Sequence, residues 1–180
     1  GNLHSWTAHM SNEACWGYGP MAQPGMNAIL YARMSDTDFR KKSIISPDRS
    51  WDAVAPYTTL TKSEFDGKAP EVNRKFEMAP YAWFKFRPNT GEKYDNTVGN
   101  VTDIPLMRVE EMILIQAEGL AKSGKASEAE QILTNFVKTY RDPEYVRSTG
   151  RTLEDEIWFQ RRVELWGEGF FTGDVKRVGK

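Results

Sequence analysis

Apolar and polar positions change their rhythm near residue 102. Before it, seven of the nine prolines, at 20, 24, 47, 56, 70, 80 and 88, interrupt any helical period. Gly17-Tyr18-Gly19-Pro20 and Gln23-Pro24-Gly25 add turn chemistry. This half is expected to consist of long structured loops with short elements. Residues 27–34 fit a short helix or a strand, and periodicity does not separate the two. Residues 81–87 are aromatic enough to predict a strand, turned by Pro88-Asn89-Thr90-Gly91. So long a loop-rich stretch in a domain points to function.

From Asp103 onward, Leu106, Val109, Ile113, Ala117 and Leu120 recur at helical spacing. They predict a helix over 103–123, with Asp103 as its cap and Pro105 in its first turn. Met112 and Ile115 add a second apolar face, which predicts burial between neighbours. Gly119 inside it costs about 1 kcal/mol against alanine, which suggests close approach by another helix. Ser127 and Glu130 form a capping-box pattern for a second helix carrying Ala129, Ile132, Leu133, Phe136 and Val137, stopped at Arg141-Asp142-Pro143. Thr152 opens a third helix running through Trp166. The first two helices resemble one tetratricopeptide unit, whose faces are normally covered by stacked neighbours. The expected fold class is mainly α: a tetratricopeptide-like hairpin plus further C-terminal helices, a long loop-rich region and minor β structure. Residues 1–102 and 103–180 are its two parts within one domain.

A formal net charge of −1, with both signs spread along 180 residues, gives no basic stripe for nucleic acid and no electrostatic membrane anchor. The single cysteine, Cys15, excludes an internal disulfide framework and a cysteine-rich zinc site, and is read as an inert buried thiol. No apolar run is long enough to span a membrane. His4 and His9 lack a third donor for a metal, and neither a phosphate loop nor a nucleophile elbow is present. No cofactor is expected.

The densest chemistry lies in residues 160–177, Q-R-R-V-E-L-W-G-E-G-F-F-T-G-D-V-K-R. Arg161 and Glu164 are spaced for an i,i+3 charged pair, and Gly167 suits a helix C-cap. Glu164 and Glu168 could suggest the paired carboxylates of a glycosidase, but the surrounding arginines favour a structural ion network of Arg161, Glu164, Glu168 and Asp174. This stretch resembles the R-R-x-E-L-x-G-E-G-x-R-x-x-D-L-K-R signature of the SusD/RagB family. Arg161, Arg162, Glu164, Leu165, Gly167, Glu168, Gly169, Asp174, Lys176 and Arg177 carry the match. The chain departs from the pattern at Phe171-Thr172, where an arginine is usual, and at Val178, where tryptophan is common. Asp38-Phe39-Arg40 fits the family's Asp-x-Arg segment.

The resemblance implies the C-terminal part of a longer outer-membrane, surface-exposed lipoprotein, attached only through an N-terminal lipid anchor that this sequence lacks. It further implies a non-enzymatic binder that hands a polysaccharide or oligosaccharide, or less often a peptide, to a SusC-like TonB-dependent transporter. An uncovered apolar face on the 103–123 helix follows from a missing preceding repeat. The alternative is a helical protein-interaction scaffold without sugar binding, and a glycoside hydrolase ranks third. Trp158, Trp166, Phe159 and Phe136 are assigned to the core. In the loop-rich half, Trp16, Tyr18, Trp51 and Tyr57 are the candidate ligand-binding residues, because an aromatic face can stack on a sugar ring. Near-zero net charge points to a largely neutral glycan.

Overall fold

The computed structural model describes residues 5–104 and 106–179, which divide into two compact units. One comprises residues up to 33 together with 40–104; the other comprises 34–39 with the chain beyond 104. The polypeptide is mainly helical, and among the described residues there is no strand.

In the first unit no described helical segment exceeds five residues. Each turn is started by a local device rather than by length. Asn27 accepts hydrogen bonds from the Ile29 and Leu30 N–H groups, which settles 27–34 as the short helix Ala28–Ala32. Thr61 and Glu64 form a reciprocal capping box around Lys62–Phe65. Pro20, Pro56 and Pro70 sit in first turns, where a missing N–H costs nothing. These turns close over Ile45, Val54, Leu60, Phe65, Met78, Ala82 and Phe84. The strand expected over 81–87 is absent. Gly25–Ala82 and Ile44–Trp83 form isolated antiparallel bridges, and Tyr81 at φ +68° bends the chain before a ladder can extend.

Four longer helices build the second unit: α1 (Val109–Lys122), α2 (Ala126–Tyr140), α3 (Leu153–Glu164) and α4 (Phe171–Val178). α1 packs on both α2 and α3 around Leu114, Ala117, Leu133, Phe136, Val137, Tyr145 and Ile157. Ala117 and Ala129 are fully buried small residues, which allow close approach of the hairpin. The 34–39 segment joins this unit through Thr37 Oγ1, which donates to Asp142 Oδ1 at 2.6 Å, and the Phe39 N–H, which donates to the Arg141 carbonyl. Phe136 and Phe159 are buried; Trp158 and Trp166 are half-buried.

Several expected boundaries move. α1 begins at Val109 with Arg108 as its cap, so Asp103 caps nothing; Pro105 lies outside the described residues. Its second apolar face is not buried: Leu106, Met107, Val109, Met112 and Ile115 are exposed. Among the described residues no other element lies within 4 Å of a Cβ built on Gly119, so no described helix approaches there. α2 starts at Ala126, because Gly124 in the left-handed region reverses the chain one turn early; Ser127 falls inside the helix and Glu130 pairs with Arg147. Thr152 does cap α3 through the Asp155 N–H. The helix ends at Glu164, before Trp166, and Gly167 at φ +77° supplies the turn that follows.

Candidate functional site

The C-terminal motif is a web of guanidinium and carboxylate groups. Arg108 forks onto Glu168 (Nε–Oε2 3.0 Å, Nη2–Oε1 2.8 Å) and also reaches Glu164 Oε1 at 3.2 Å. Arg141 forks onto the same Glu164 (2.8 and 2.9 Å) and donates to Glu110 Oε1 at 3.0 Å. A second group forms around Arg161, which donates to Asp174 Oδ2 at 2.6 Å and to Glu111 Oε1 at 3.3 Å. Arg177 then links Asp174 to Glu118. Arg161 therefore takes Asp174 and Glu111 as partners, and Glu164 belongs to Arg108 and Arg141. Arg108 and Arg141 were not singled out from sequence, and Glu111 was weighed only with Glu110 as a catalytic carboxylate pair, set aside because neighbours on a helix point in different directions. Their signal was slight: one arginine before a helix, another at its end, and a glutamate in a first turn.

Burial alone would push the Arg108 and Arg141 guanidinium groups down, but their carboxylate partners outweigh it and hold both above the ordinary arginine value. Glu164 and Glu168 converge on one arginine, which suits a structural clamp better than an acid and base flanking a scissile bond. At the position where the family pattern has arginine, Phe171 instead places its ring 5.2 Å from the Arg162 guanidinium, which also lies over Trp158.

In the loop-rich unit a buried polar set replaces a ladder. Glu64 accepts from Lys93 Nζ at 2.7 Å and the Tyr94 hydroxyl at 3.0 Å, while Lys93 also donates to the Thr59 carbonyl. Glu13 accepts from the Thr58 hydroxyl and the Thr59 N–H. Burial pushes the neighbouring Cys15 thiol up, more than Arg74 pulls it down, so it is a poor nucleophile. Of these, Glu64 had a legible signal in Thr61-x-x-Glu64; Glu13, Arg74 and Lys93 had none.

The four candidate aromatics occupy different surroundings. Trp16 is 8% exposed, packed with Ala8 and Ala14, and Gly99 lies so close to its ring that a Cβ there would collide. Tyr18 is 45% exposed and stacks on His9, with centroids 5.1 Å apart and planes 21° apart. Trp51 is half-buried against Phe65, in a separate cluster. Tyr57 is half-buried, and its carbonyl accepts from Arg87. Of the four, Tyr18 presents the most open surface. Immediately after it, the Gly19–Ala22 turn and residues 73–76 enclose a cavity of about 280 Å³, lined by Pro20, Met21, Asn73, Arg74, Lys75 and Phe76.

His4 lies outside the described residues, and among those described no cluster of three metal-ligating side chains occurs. No described helix is long and apolar enough to cross a membrane. Compared with known families, the chain matches the model described as the SusD family over residues 17–180. No curated protein and no solved structure matches it.

Proposed function

The chain belongs to the SusD family, whose members are non-catalytic binding proteins, and from that premise we propose that it captures glycans at the cell surface. In this reading it delivers them to a SusC-like TonB-dependent transporter, and a lipid anchor N-terminal to this sequence holds it at the outer membrane. The family match carries the proposal, because it extends through the loop-rich unit as well as the helical one. Two features of the chain support it. Tyr18 offers an open ring, and the motif carboxylates are engaged by arginines rather than poised for hydrolysis.

The test is calorimetric titration of the intact chain against a panel of soluble polysaccharides and oligosaccharides, followed by recovery of the sugar. Micromolar to millimolar affinity and intact sugar are expected, since stacking contacts are individually weak. Binding by none of the panel would defeat the proposal, and shortened sugar would replace it with hydrolysis. One observation favours a second reading, a protein-interaction scaffold: the exposed apolar strip of α1. A scaffold without sugar binding would show no shift in melting temperature with any oligosaccharide.

A further inference from the structure

The walls of the 280 Å³ cavity carry an unusual charge pattern. Two of its six lining residues are cations, Arg74 and Lys75, and none is acidic. Arg74 is 2% exposed, yet no carboxylate among the described residues pairs with it. Its Nη2 donates to the Asn12 and Ala14 carbonyls at 2.7 and 2.9 Å, Nη1 reaches the Met78 sulfur, and the guanidinium also acts on the Cys15 thiol. Its buried Nε has no partner among the described residues. A buried guanidinium so placed normally has an anion to answer it. Lys75 is exposed and likewise has no ion-pair partner among the described residues. Of the flanking acids, Glu77 is drawn away by Arg49 at 2.9 Å, and Glu71 is not on the wall.

The cavity is also held open by specific bonds. Ala69 and Arg74 exchange backbone hydrogen bonds, and Asn73 at φ +62° turns the chain so that residues 73–76 face the Gly19–Ala22 turn. Gln23 joins the two sides: its Nε2 donates to the Glu77 carbonyl at 3.0 Å, and its Oε1 accepts from the Ala79 N–H. Asn73 Nδ2 donates to the Cys15 carbonyl at 3.1 Å. At the rim, Phe76 is 63% exposed and Met21 is also open, giving an apolar surface beside the positive charge. The volume sits at the small end of ligand pockets, which suits one ring or substituent rather than a long oligomer.

We propose that this cavity binds the carboxylate of an acidic sugar, with Lys75 supplying the charged contact and Phe76 the stacking face. The inference rests on the glycan-binding function proposed above and narrows it to uronate-bearing oligosaccharides. It departs from the neutral ligand that the net charge of −1 suggests, because a whole-chain sum says nothing of a local pair of cations.

The experiment titrates the intact chain with oligogalacturonate, with its fully methyl-esterified form, and with a panel of neutral oligosaccharides. Lys75→Met and Phe76→Ala are the variants, since both side chains are exposed and Arg74 is too buried to replace safely. The acid is expected to bind about tenfold or more tighter than its ester, as one charge-assisted contact provides. That preference should shrink with added salt and disappear in Lys75→Met, while Phe76→Ala weakens acid and ester alike. Equal affinity for acid and ester, or a preference that survives Lys75→Met, overturns the acidic site. If neutral sugars bind at the same time, glycan capture itself still stands. Failure of every sugar, acidic and neutral, overturns both.

Discussion

Arg161 Nε lies 2.6 Å from Asp174 Oδ2, with both side chains more than nine-tenths buried. This contact ties the last turns of α3 to α4 across the glycine-rich bend. Replacing Asp174 with alanine leaves the buried Arg161 guanidinium only its longer contact with Glu111 at 3.3 Å, with Nη1 already lacking a partner among the described residues. The expected cost is about 3–5 kcal/mol, read as a lower denaturant midpoint. Lys125→Ala, at an exposed pair with Glu128, is the control and should change little. An unaltered midpoint for Asp174→Ala would remove the structural role.

The motif shows what a sequence can and cannot carry. Its residues were legible because charges and glycines cluster in eighteen positions, and Gly167 bends the chain where a positive φ was expected. Its wiring was not legible. Glu164 is answered by Arg141, 23 residues upstream, and Glu168 by Arg108, 60 residues upstream. Spacing rules cover neighbours on one helix and are silent on such pairs. The α1 boundary failed for a different reason: Leu106 and Val109 fit the helical period, but Leu114 and Ala117 take the core and leave them in solvent. Period alone does not say which face finds a partner. Trp16 and Tyr18 make the same point, since two aromatics two positions apart end up one buried and one open.

Glu64 gives a pH signature. Burial pushes its carboxyl up, but Lys93, the Thr61 N–H and the Tyr94 hydroxyl together outweigh that and hold it below the ordinary carboxylate value. A folded-state pKa below the unfolded one contributes stability above the unfolded value and loses it as pH falls through the folded one. The wild-type chain should therefore lose stability in the acid range, as pH falls below the ordinary glutamate value. Glu64→Gln should start less stable at pH 7 and show a shallower loss across that window. Parallel stability curves for the two proteins would show that Glu64 contributes nothing to acid sensitivity.

Trp16 and Tyr18 should separate in mutagenesis. Trp16→Ala removes a buried ring and is expected to cost about 3–5 kcal/mol. Tyr18→Ala should leave the thermal midpoint nearly unchanged and weaken glycan binding severalfold, because the ring is open and stacks on His9. The paired measurements are a thermal melt and a calorimetric titration on the same samples. A destabilised Tyr18→Ala with intact binding would reassign that ring to packing.

The apolar strip of α1 makes a prediction about solution behaviour. Val109, Met112 and Gly119 fall at i, i+3 and i+10, on one helical stripe, and Leu106 and Met107 extend it beyond the N-terminal end. All four large side chains are exposed, and the open space over Gly119 leaves room for a second helix to approach its backbone. A stripe with a small residue at its centre of approach suits a like surface, so two copies of this chain are expected to associate through it at high concentration. Sedimentation velocity across a concentration series should show the weight-average coefficient rising, and Met112→Lys should hold it at the monomer value. Met112 is exposed, so the charge need not disturb the Leu114–Leu133 core. A wild-type chain that stays monomeric at hundreds of micromolar, or a Met112→Lys variant that associates as readily, would mean that the strip does not drive association.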